Sequence, residues 1–141
     1  MDQGGRAVIE IVTALIRDER GRVLLVRKNG TESFMQPGGK REPNESDSAA
    51  LAREIREELG CAIIADSIRP LGIFEAPAAN EPGERVRASA YAIRIEGEIA
   101  CRAEIAELAW VDPHRSGERK LAPLTRDIIL PLASSLNDQA L

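Results

Sequence analysis

The chain has 141 residues, 43% hydrophobic and 30% charged, with a formal net charge of −4. That is an ordinary globular mix, long enough to bury a core as a single domain over 1–141. The acidic balance argues against long nucleic acid, and no apolar run is long enough for a membrane span.

In chain order, residues 1–5 read as disordered, and the first residues lack the apolar core of a signal peptide. Ala7 to Arg17 is rich in Val, Ile and Thr and predicts a strand. Asp18 to Gly21 is a turn, and Val23 to Arg27 a second strand, so the two predict a hairpin. Arg27 and Lys28 end that strand, where a cation can reach a substrate phosphate or simply face solvent. Phe34 and Met35 either line an apolar pocket, with a base stacked on Phe34, or pack in the core.

Pro37, Gly38 and Gly39 predict a tight turn with close backbone approach to a ligand. Asn44, Ser46 and Asp47 offer helix caps, and Ser48 to Leu59 is a run of strong helix formers. Leu51, Ile55 and Leu59 recur every four residues as a buried stripe, and Gly60 ends the helix. Glu54, Glu57 and Glu58 share one helix face, where like charges repel unless a cation gathers them. A hard divalent ion takes such oxygen ligands; the bland alternative is a solvated face laced with Arg–Glu pairs.

Further on, Ala62 to Ile64, Ile68 to Glu75 and Val86 to Glu96 read as strands, with a polar loop at Ala76 to Arg85. Leu108 to Val111 reads as a strand, and a closing helix runs from Leu124 to about Leu136. Pro131 should kink or split that helix. Cys61 and Cys101 make neither a disulfide framework nor a zinc site; two buried thiols in a reduced, cytoplasmic setting are expected.

Gly39, Glu45, Arg53, Glu54, Ile55, Glu57, Glu58 and Gly60 stand at the spacing of the Nudix box, and the stretch resembles it closely. Cys61 departs from the aliphatic residue usual at the end of the box, a mild change because Cys is small and readily buried. The resemblance implies an α+β fold, an α/β/α sandwich with a mixed sheet. It implies hydrolysis of a nucleoside diphosphate linked to another group, with Mg²⁺ or Mn²⁺. It assigns Glu54, Glu57, Glu58 and the Gly39 carbonyl to the metal, Arg53 to orienting the glutamates, and Glu45 to the supporting shell.

A further carboxylate from a later loop fits Glu104 best, with Glu107 second. Glu57, Glu54 or Glu104 is the general base, and the box does not choose among them. Lys40 and Arg27 are candidate phosphate contacts. The implied substrate is a small nucleotide: a nucleoside triphosphate, native or oxidised, or a nucleoside diphosphate sugar such as ADP-ribose. A homodimer is allowed by the sequence but not required. The competing functions are a module that binds a nucleotide without cleaving it and, less favoured, an isomerase of the same fold acting on an isoprenoid diphosphate.

Overall fold

The structure is a computed structural model that describes residues 8–139. The disorder expected at residues 1–5 lies outside the described residues. In chain order the strands are β1 (Val8–Ile16), β2 (Val23–Lys28), β3 (Phe34–Met35), β4 (Gly38–Gly39), β5 (Ala62–Ile63), β6 (Arg69–Pro77), β7 (Arg85–Ile93), β8 (Ile95–Glu96) and β9 (Ile105–Val111). Helix α1 (Asp47–Leu59) follows β4, and α2 (Leu130–Gln139) follows a π-turn at Thr125–Ile129.

One sheet has the order β4-β1-β7-β6, a second β3-β2-β9, and β5 pairs with β8. The β1–β7 pair is parallel, from Val8 opposite Arg85 to Ile16 opposite Ile93, and the other pairs are antiparallel. A parallel pair needs a long crossover, and the stretch holding α1 supplies it.

Side chains alternate across a strand, so one strand can feed two cores. Val12, Ala14 and Ile16 of β1, with Leu24 and Val26 of β2, pack with Leu51, Ile55 and Leu59 of α1. Leu15, Val23 and Leu25 pack instead with Ile129, Leu130 and Ala133 at the C-terminal helix. The sheets therefore lie between helices, as the sandwich expectation required. Burial on both faces explains why Ala14, Leu15 and Ile16 at the end of β1 are apolar in succession.

Four expectations are corrected. The β1–β2 hairpin does not form. The turn closes, with Asp18 N–H donating to Arg22 O at 2.9 Å, but only the Arg17–Val23 bridge follows. The strands then part, because each finds a different set of partners further along the chain. Strand β9 begins at Ile105 rather than Leu108, since Ile105 is buried opposite Lys28. Pro131 does not break the closing helix. Leu130 N–H bonds to Thr125 O, and this wider π-turn just before the proline absorbs its missing donor and ring bulk. Cys61 is buried, but Cys101 is exposed.

Candidate active site

The box folds locally as its residues dictate. Ser46 caps α1, its hydroxyl accepting from Ala49 N–H at 3.1 Å. Gly60 ends the helix in the left-handed region at φ 75°, donating to Arg56 O. Strand β4 lies antiparallel to β1, with Gly39 opposite Val12 and Gly38 opposite Thr13. This pairing brings the two glycines beside the glutamate face of α1. A Cβ at Gly39 would stand 2.4 Å from Glu54 Oε2, so only a glycine lets the backbone run this close to that carboxylate.

A cleft of about 500 Å³ opens along this edge. Gly39, Lys40, Arg53, Glu54, Glu57, Glu58 and Glu104 all line it. Arg53 is the hub beneath them. Its guanidinium takes both oxygens of Glu45 at 2.8 Å, donates to Lys40 O at 2.9 Å and reaches Glu54 Oε2 at 3.1 Å. Glu57 Oε1 stands 3.6 Å from the same guanidinium. The Arg53 hydrogen bonds, aided by Glu42 N–H, hold the Glu45 carboxyl down at about 2.

The glutamates differ in burial. Glu58 is 3% exposed, and its carboxylate accepts from Gly38 N–H at 3.3 Å. Burial pushes its pKa up to about 8. Glu54 is raised too, by burial first, against the lowering effect of Arg53. The side chain of Glu57 is half-exposed.

Two residues named from sequence fall elsewhere. Arg27 bonds to Glu107 Oε1 at 2.8 Å and to Thr31 O at 2.8 Å and does not line the cleft. Its neighbour Lys28 does, with Nζ 3.2 Å from Glu104 Oε1. Strand alternation separates the two cations, and pairing with β9 decides which face each takes. Phe34 sits in the core on the far side of the sheet, with the Arg119 guanidinium 5.6 Å above its ring, while Met35 lines the cleft. Arg41, also in the cleft, was not singled out from sequence; it pairs with Asp47, which Tyr91 also contacts.

A NUDIX-domain family model matches residues 9–132. The chain belongs to the Nudix family. It is 30% identical over 76 residues to an 8-oxo-dGTP diphosphatase of Haemophilus influenzae, a match spanning 51% of this chain and only 56% of that protein. Among solved structures, it is similar to the MutT protein of Methanosarcina mazei at 26% identity and TM-score 0.74, over 94% of this chain and 96% of that one. The E. coli ORF135 protein is similar at 25% identity and TM-score 0.67, over 96% and 93% of the two chains.

Nudix hydrolases generally use divalent metal ions. The donor set here fits such an ion: it is all oxygen, from Glu54, Glu57, Glu58 and the Gly39 backbone, and hard cations select oxygen. Among the described residues, no three acidic, histidine or cysteine side chains already stand close enough together to hold a cation. Arg53 draws on Glu54 and Glu57, while Glu58 is held by Gly38 N–H.

Proposed function

We propose that this Nudix chain forms one domain and is a pyrophosphohydrolase. In this reading it uses Mg²⁺ or Mn²⁺ to cleave the diphosphate linkage of a small nucleoside diphosphate derivative. The substrate is a nucleoside triphosphate, native or oxidised, or a nucleoside diphosphate sugar such as ADP-ribose. The observation that carries the reading is the intact carboxylate face of α1 turned to the cleft, beside the Gly39 backbone, with Lys28 and Lys40 in the same cleft. The 8-oxo-dGTP diphosphatase named among the relatives supports the triphosphate alternative. The free thiols support a reducing, cytoplasmic setting.

Glu54, Glu57, Glu58 and the Gly39 carbonyl hold the cation. When bound, it neutralises diphosphate charge and makes water a better nucleophile at neutral pH. Lys28 and Lys40 place further positive charge against the phosphates. Arg53 orients Glu54 and Glu57, and Glu45 orients Arg53. Glu57, Glu54 or Glu104 takes the proton of the attacking water.

The test is hydrolysis of a nucleotide panel with Mg²⁺ or Mn²⁺. Release of phosphate or pyrophosphate by the wild type, and its loss in Glu57→Gln, is expected. No release above that variant across the panel would sink the reading.

A further inference from the structure

The cleft has an apolar wall with one polar island in it. Ile9, Ile11, Met35, Val86 and Leu124 line the wall. Thr13, Gln36 and Thr125 line the same cleft, only 2%, 6% and 0% exposed. None of the three does anything in the carboxylate machinery. A buried polar side chain is costly unless it is paired, so their pairing is informative.

Their hydrogen bonds orient the Gln36 amide. The Thr13 hydroxyl donates its one proton to Pro37 O at 3.2 Å. It can then only accept, so the Gln36 atom 3.2 Å from it is the NH₂ group. The Gln36 carbonyl is thereby turned to Thr125, whose hydroxyl donates to it. Thr125 is itself held at the start of the C-terminal helix. An NH₂ group carries two protons, and Thr13 takes one. The other has no partner among the described residues.

We infer that Gln36 is a specificity-determining residue, offering this second N–H to a hydrogen-bond acceptor on the base of a bound nucleotide. The inference rests on the pyrophosphohydrolase reading and extends it to the choice of base. Native guanine and adenine share an acceptor at N7, so the acceptor that separates them is the ring carbonyl, which guanine carries at O6 in both its native and 8-oxo forms. Adenine presents an amino donor at that position. Donor would then face donor, and a polar group would be left unsatisfied in a dry place. The ring faces rest on the aliphatic wall, since no aromatic side chain lines the cleft among the described residues.

The experiment compares dGTP with dATP, which share one triphosphate and so load the carboxylate site alike. Their kcat/KM values are measured for the wild type, Gln36→Leu and Thr125→Val. The wild type should prefer dGTP by about tenfold, the worth of one buried hydrogen bond. Both variants should bring the ratio to within about twofold, Thr125→Val because the amide is then free to turn over. A merely structural role would lower both substrates alike and leave the ratio where it was.

The rise in melting temperature on adding dGMP or dAMP reports the same preference without turnover. Absent hydrolysis together with a larger shift for dGMP would therefore overturn the pyrophosphohydrolase reading and leave the role of Gln36 standing. Equal shifts for dGMP and dAMP in the wild type, or an unchanged ratio in either folded variant, would overturn the role of Gln36. Should Gln36→Leu fail to fold, Thr125→Val and the wild-type preference decide.

Discussion

The guanidinium of Arg53 grips the carboxylate of Glu45 with two parallel hydrogen bonds of 2.8 Å, Nε to Oε2 and Nη2 to Oε1. The same guanidinium touches Glu54 and Glu57, so the loop before α1 and the carboxylates on it share one anchor. Lysine cannot reproduce the fork. Arg53→Lys should lower stability by about 1–2 kcal/mol, as hydrogen bonds to a charged partner are lost. Activity should fall much further than that, because Glu54 and Glu57 lose their orientation. Denaturant midpoints and kcat, measured side by side, check it; a variant with full activity would show that Arg53 orients nothing.

Gly38 and Gly39 adjoin in sequence but fail differently when a methyl is added. A Cβ at Gly38 would lie 2.1 Å from Val12 O, where φ is +149°, so Gly38→Ala strains backbone against backbone. A Cβ at Gly39 meets the end of the Glu54 side chain, which can swing away. Gly38→Ala should melt well below the wild type. Gly39→Ala should melt near it while losing activity, since the displaced carboxylate is a proposed ligand. Melting curves and initial rates for the pair distinguish the two, and equal melting losses would contradict the difference.

Glu58 sets a pH dependence of stability. Its folded-state pKa, about 8, lies above the unfolded value near 4.3, because burial disfavours the charged form. The favoured state is the protonated one. Its contribution is full below about pH 4 and is lost as pH rises through about 8. The metal-free protein should therefore be less stable at about pH 9 than at about pH 6, and Glu58→Gln should flatten this slope. Mn²⁺ should reverse it, because a cation binds the ionised carboxylate. Urea midpoints across pH, with and without Mn²⁺, test both halves; an unchanged slope in Glu58→Gln would remove Glu58 as its source.

Metal binding itself is read from melting temperatures. Glu57→Gln should change metal-free stability by only about half a kcal/mol. Its Mn²⁺-induced melting shift should shrink, since stabilisation follows binding to the folded state. Glu19→Gln, in the turn after β1, serves as the control. Equal shifts in wild type and both variants would show that Glu57 is not a ligand.

The local features of the box were legible from residue order alone. The cap at Ser46, the stripe of Leu51, Ile55 and Leu59, the stop at Gly60 and the shared face of the glutamates all depend on neighbours within a turn or two. Helical spacing decides such features, whatever the rest of the chain does. The family resemblance followed from the same short stretch, and the sandwich fold came with it.

Tertiary structure decided what depends on partners far along the chain. Pairing of β2 with β9 turned Lys28 to the cleft and Arg27 to Glu107. Placement of the C-terminal helix put Phe34 into a core and set Thr125 against Gln36 across 89 positions of sequence. The apolar run of β1 hid the one signal that pointed there, the polar Thr13 in a strand otherwise made for burial. A period of two tells which residues share a face of a strand, but only the sheet's neighbours tell which face is the cleft.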